Sequence, residues 1–233
     1  MKKSLTLLLI LVSLNCLGQR EATLPEYGNT LAEIIPDGWK VLDSISGDLN
    51  RDTIPDLVFA IQNTDKNYLE VNDGLGADTI DLNPRILGIY FGSKSGKFHK
   101  ELIAEDFIIL RDSPVMEEPF VGFSLNKKGV LDITFHIWYS AGSWMVSNHT
   151  YRFRFQDDQF TLIGYDSNET HRGTGASIDH SINFLTGKIK VTKENFDSND
   201  PKSVQWKKFK MKELYTLQTL KKPLQSEIKG ITF

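Results

Sequence analysis

Gly129-Val130-Leu131-Asp132-Ile133-Thr134-Phe135-His136-Ile137-Trp138-Tyr139 is the most regular stretch of the chain. Leu131, Ile133, Phe135, Ile137 and Tyr139 fall on one side of it, and Asp132, Thr134, His136 and Trp138 on the other. A period of two marks a strand with one face against a core; a helix would repeat its apolar residues every three to four. Half-buried strands of this kind belong to antiparallel sheets.

The neighbouring segments repeat the theme. Tyr151, Phe153 and Phe155 alternate with Thr150, Arg152 and Arg154; Gln156–Gln159 turns the chain and Phe160–Tyr165 returns it. Ser181–Leu185 and Lys188–Thr192 make a hairpin about Thr186-Gly187. Trp206–Met211 reads as a further strand, provided a bulge near Lys207 restores the parity that Trp206 breaks. Leu214–Leu220 is open between strand and short helix. Towards the N-terminus, Trp39–Ile45, Asp56–Gln62, Arg85–Phe91 and Phe98–Ile103 read as strands of a first sheet. Thr30–Ile35 offers one or two helical turns, and Asn63–Pro84 is a long polar excursion. The expectation is a mainly β fold of nine to eleven antiparallel strands, a meander or sandwich, with a propeller-like fragment as the alternative. One domain spans 19–233, in two sub-sheets split near 104–120.

Met1-Lys2-Lys3-Ser4 followed by the apolar run Leu5–Leu14 has the form of a signal segment. That run is shorter than the roughly 20 residues of a membrane-spanning helix, and no second long apolar stretch occurs. A cut after Gly18 defines a signal peptide at 1–18; Ser13-Leu14-Asn15-Cys16 offers the alternative of a lipid anchor on Cys16. The expected compartment is therefore outside the cytoplasm: periplasmic, outer-membrane-associated or secreted. Loss of Lys2 and Lys3 takes the formal charge from −3 to −5, a balance that disfavours nucleic acid as partner. Cys16 is the single cysteine, so no intrachain disulfide forms and stability rests on the core, with or without a metal.

Gly47-Asp48-Leu49-Asn50-Arg51-Asp52-Thr53-Ile54-Pro55-Asp56-Leu57 sets oxygen-bearing side chains at relative positions 1, 3, 5 and 9. Calcium takes about six to eight oxygens from a chain that curls around it. Asp48, Asn50, Asp52 and Asp56 offer side-chain oxygens and Ile54 its carbonyl. Thr53 stands where such loops turn on glycine, and Phe59 stands where an EF-hand has glutamate. The competing reading is a solvated Asp/Asn turn.

Gly47–Val58 resembles the calcium loop of FG-GAP and VCBS-type repeats, which occur in integrin-like β-propellers and many secreted bacterial proteins. Those repeats read Gly-Asp-(Leu/Phe)-Asn-Gly-Asp-Gly-x-x-Asp-(Leu/Ile). The chain keeps Gly47, Asp48, Leu49, Asn50, Asp52, Asp56 and Leu57, and departs at Arg51 and Thr53, both commonly glycine there. The resemblance implies a structural Ca²⁺ between two strands, held by Asp48, Asn50, Asp52 and Asp56. The motif occurs once. The whole chain resembles small exported proteins of Bacteroidota in which one such loop precedes the sheets.

Signals of catalysis are weak. There is no Gly-x-Ser-x-Gly elbow, no His-Glu-x-x-His pair and no phosphate loop. His136 and His149 face opposite sides if their strands keep regular pleating, and Thr170–Gly175 reads as a flexible surface loop. His136, Trp138, Tyr139 and Trp144 are the candidate ligand-binding residues, since aromatic rings beside polar groups stack on sugars or hold a peptide; Trp144 is expected to cover the edge of the core. The preferred function is a non-enzymatic, calcium-stabilised exported module that binds a protein or glycan at the cell surface. The alternatives are an extracytoplasmic glycan hydrolase and a protein inhibitor or immunity-like docking protein.

Overall fold

A computed structural model describes residues 23–198, 201–220 and 222–233. The expected signal segment, with Lys2, Lys3 and Cys16, lies outside the described residues. In chain order the strands are β1 Tyr27–Gly28, β2 Trp39–Gly47, β3 Asp56–Asn63, β4 Leu69–Val71, β5 Thr79–Asp81, β6 Arg85–Gly92 and β7 Phe98–Ala104. There follow β8 Phe120–Leu125, β9 Val130–Trp138, β10 Met145–Gln156, β11 Gln159–His171, β12 Ala176–Asn183, β13 Lys188–Asn195 and β14 Ser203–Lys208. A terminal hairpin pairs β15 Glu227–Ile228 with β16 Ile231–Thr232. Two four-residue helices, α1 Leu31–Ile34 and α2 Leu217–Leu220, complete the regular structure with a 3₁₀ turn at Lys66–Tyr68. The fold is mainly β and antiparallel, as the alternation predicts. Setting aside five pieces of two or three residues leaves eleven strands.

Two main sheets form. The first has the order β1-β7-β6-β3-β2, and the second is a consecutive seven-stranded meander, β8 through β14. In the first, β3 is buried on both faces. Val58 and Ala60 join the large core shared with the second sheet, while Leu57, Phe59 and Ile61 pack with Leu24, Ile34, Ile86 and Tyr90. That double burial explains why Asp56–Gln62 reads as a nearly continuous apolar run and not as an alternation. Asn63–Pro84 is largely an exposed excursion pinned by the small β4–β5 hairpin.

The second sheet buries one face. Leu131, Ile133, Phe135, Tyr151, Phe153, Leu162 and Tyr165 are inaccessible. Phe107, from the connection between the sheets, sets its ring 5.4 Å from those of Tyr151 and Phe153. The C-terminal tail adds Leu217, Leu220, Ile231 and Phe233 to the same core. Arg85, 3 % exposed, fixes the connection by a two-pronged pair with Glu118 at 2.6 and 2.7 Å, the planar match that arginine makes with carboxylate.

Asp43 joins the sheets at their edges. One of its oxygens accepts the Phe123 N–H of β8 at 2.8 Å. Gly122, at φ 138, would place a Cβ 2.7 Å from that same oxygen, so only glycine admits the contact. Phe91 of the first sheet meets Phe155 of the second edge-on at 4.9 Å.

The C-terminal strand departs from the sequence reading. β14 is Ser203–Lys208 and pairs with β13 in unbroken register. No bulge repairs Trp206, which shares a face with Lys208 and is 66 % exposed. Phe209 turns inward only after the strand ends, as its N–H binds the Gly187 carbonyl at 2.9 Å. The ambiguous Leu214–Leu220 segment holds α2.

Candidate functional sites

The loop between β2 and β3 curls tightly upon itself. One Asp48 oxygen accepts the N–H groups of Arg51 at 2.6 Å and Asp52 at 3.1 Å, and the other accepts that of Thr53 at 3.0 Å. The Asn50 amide oxygen accepts the Asp52 N–H at 3.0 Å, and Asp52 accepts that of Ile54 at 2.7 Å. Arg51 and Thr53 take left-handed conformations, φ 67 and 73. These are the two positions where the repeats that the loop resembles commonly have glycine. A β-branched residue costs about 1–2 kcal/mol there. Arg51 offsets part of that cost by donating to the Lys128 carbonyl at 2.9 Å, which ties the loop to the β8–β9 turn.

Asp56 behaves differently from its three companions. It is fully buried. One oxygen accepts from Leu49 N–H at 2.7 Å and, more weakly, from Asn50 N–H at 3.4 Å; the other accepts from Gly92 N–H at 2.9 Å. Its carboxyl is pushed above the usual aspartate range by burial, against which these donors work. Asp56 thus pins both the start of the loop and the β6–β7 turn. Among the described residues no group of three or more His, Cys, Asp or Glu side chains stands placed to share a metal ion. Of the expected ligands, Asp48, Asn50 and Asp52 spend side-chain oxygens on the loop's own N–H groups, Ile54 donates its N–H to Asp52, and Asp56 turns inward.

The aromatic candidates gather at one end of the seven-stranded sheet, around a residue that parity alone does not find. Arg172 holds its guanidinium 5.1 Å from the centre of the Trp138 ring and donates to the carbonyls of Tyr139 at 3.0 Å and Ser143 at 2.5 Å. The loop after β11 is therefore anchored to the β9–β10 turn, contrary to the flexible loop expected from its composition. Trp144 does not cover the core: it is 66 % exposed and stacks on His171 at 6.4 Å. His136 sits one row inward on the outer face, its Nδ1 2.8 Å from the Asn148 amide oxygen.

His149 lies on the opposite face, as strand parity predicts, and is buried. Its Nδ1 is 2.7 Å from the Tyr165 hydroxyl and its Nε2 2.8 Å from Ser147 Oγ. Burial lowers its pKa to about 4, so it is neutral near pH 7. On the outer face, Arg152 lies between Asp132, at 3.5 Å, and Asp166, at 2.5 Å. Burial raises the Asp132 pKa while Arg152 opposes the rise.

Around these residues the outer face is an open polar depression of about 380 Å³, lined among others by Asn148, Thr150, Asn168, Asp179 and Lys190. None of the described helices is long and apolar enough to cross a membrane. Compared with known families, curated proteins and solved structures, the chain matches no family model, no curated protein and no solved structure.

Proposed function

We propose that the chain is an exported, non-enzymatic binding module whose Asp48–Asp56 loop takes a structural calcium ion. The observation that carries this reading is the backbone at Arg51 and Thr53, which adopts the left-handed turns of a calcium loop without the glycines that make them easy. Asp48, Asn50, Asp52 and the Ile54 carbonyl would hold the ion; Asp56 would act from behind, by fixing the N–H groups of Leu49 and Gly92. The ion would supply charge balance and rigidity between β2 and β3. Binding of a glycan or protein would then fall to the polar outer face of the second sheet and its aromatic end.

The test is thermal unfolding of the mature chain in calcium and in chelator, with Asp52→Asn as the variant. The amide still accepts the Ile54 N–H but removes the charge. Calcium at about a hundred times its Kd should raise the wild-type Tm by about 5 °C or more. Asp52→Asn should lose most of that rise while matching wild type in chelator. A wild-type Tm indifferent to calcium would refute the ion and leave the turn as a self-capped Asp/Asn loop.

A further inference from the structure

Residues 186–233 carry eleven lysines, no arginine and five acidic side chains, in a chain whose formal charge is −3. The register of β13 and β14 concentrates that charge on the outer face. Lys188 lies directly opposite Lys208, and Lys190 directly opposite Trp206. All four are exposed. Beyond the strand ends, Lys210 and Lys229 join Lys208 around a depression of about 490 Å³, together with Thr186, Gly187 and Phe209. Lys190 borders the polar depression on the other side. The two hollows thus flank one continuous basic strip with Trp206 beside it.

The lysines of the strip lack the acid partners that four other lysines have. Lys40, Lys100, Lys202 and Lys222 each have an acid partner, on Asp81, Glu26, Glu194 and Asp106. Among the described residues, Lys188, Lys190, Lys208, Lys210 and Lys229 have no acidic side chain within ion-pair distance. Of the acids at the far side of the polar depression, Asp166 is paired with Arg152, while Asp179 accepts from the Asn168 amide at 2.6 Å and keeps its charge. Like charges set directly opposite on a sheet work against folding. An arrangement that keeps them together, next to a bare indole, is complementary to an anion that arrives from outside.

We propose that this strip binds an acidic polysaccharide. The lysines meet its carboxylate or sulfate groups, and Trp206 stacks on the C–H face of a sugar ring. The amides and hydroxyls of Asn148, Thr150, Asn168 and Thr192 exchange hydrogen bonds with sugar hydroxyls along the polar depression. Lysine is a compact point charge, without the bidentate fork that arginine offers to phosphate. The strip has one exposed ring and no arginine, whereas single-stranded nucleic acid is held on successive aromatic platforms and duplex bases are read largely by arginine. The inference rests on the binding-module reading above and names its ligand class.

Affinity electrophoresis of the mature chain in gels containing chondroitin sulfate or polygalacturonate, run in chelator, tests it, with dextran as the neutral control. Retardation by at least one acidic polymer and none by dextran is expected, weakening as salt rises. Lys188→Ala combined with Lys208→Ala should weaken binding about tenfold, and Trp206→Ala about fivefold. All three positions are exposed, and an unchanged far-ultraviolet spectrum verifies folding. No retardation by either polymer, or retardation that both variants leave unchanged, overturns the proposal; tighter binding to duplex or single-stranded DNA reassigns the strip to nucleic acid. Release of new reducing ends from the polymer would sink the non-enzymatic reading and leave the strip standing.

Discussion

The acidic loop and the lysine strip both crowd like charges, and the fold treats them in opposite ways. Around Asp48–Asp56 each of the three carboxylates accepts at least one backbone N–H, and Asp56 accepts three. On β13 and β14 the ammonium groups face outward, with no acid across from them. Charge satisfied by the main chain is part of the scaffold, and its removal should be felt as lost stability. Charge left facing solvent is available to a partner, and its removal should be felt in binding.

The largest effect expected from this contrast is at Asp56. Asp56→Ala strands the N–H groups of the buried Leu49 and the half-buried Gly92, and urea unfolding should show a loss of about 3–4 kcal/mol. Asp52, exposed on the rim of the same loop, should cost less than about 1 kcal/mol as Asp52→Ala in chelator. Equal losses at the two positions would erase the distinction between a buried carboxylate that holds the scaffold and an exposed one that adds little to it.

How much of this was legible in the sequence follows from the same physics. β9 and β10 alternate because only one face is buried, and Leu131, Ile133 and Phe135 lie in the core where the period of two puts them. Thr30–Ile35 holds the short helix expected there, and the structure adds its cap: Thr30 accepts the Glu33 N–H at 3.3 Å. The spacing of Asp48, Asn50, Asp52 and Asp56 revealed a special loop but not that Asp56 turns inward, because its donors on Leu49 and Gly92 come from two different turns. Trp144 was misread for a related reason. Its stacking partner His171 is distant in sequence, and only the fold brings the two rings together. Alternation alone puts Lys208 and Lys210 on one face of the C-terminal segment, but only the register sets Lys188 against Lys208.

His149 shows a third treatment of charge, in which a buried ionisable group is kept neutral. Its folded pKa, about 4, lies below the ordinary histidine value near 6.5. Between those two values the unfolded chain binds more protons than the folded one. Stability from this group is therefore complete above pH 6.5 and is lost as pH falls toward 4, by about 3 kcal/mol in all. Carboxylates whose pKa is raised, the buried Asp56 and the half-buried Asp132, contribute with the opposite sign as pH falls. The informative quantity is thus the difference between wild type and His149→Gln. Measured by denaturant unfolding, that difference should shift in favour of the variant as pH drops from 7 to 4. A difference constant across the window would mean that the imidazole titrates alike in both states, and burial would not be governing its charge.

The smallest expected effect is the one that bears most directly on the contrast between scaffold and partner. Lys208→Glu places an acid opposite Lys188 and turns a repulsive cross-strand pair into an attractive one. Such pairs contribute about 0.2–1 kcal/mol, so the variant should be slightly more stable than wild type, by a few tenths of a kcal/mol to about 1 kcal/mol. Raising the salt concentration should shrink the gain, because both side chains are exposed. The same substitution should weaken retardation by an acidic polymer. Stability and binding moving in opposite directions is what a strip held for an external anion requires. If Lys208→Glu lowered stability, the lysines would be serving the fold through contacts of their aliphatic stems, and the two regions would differ only in sign of charge.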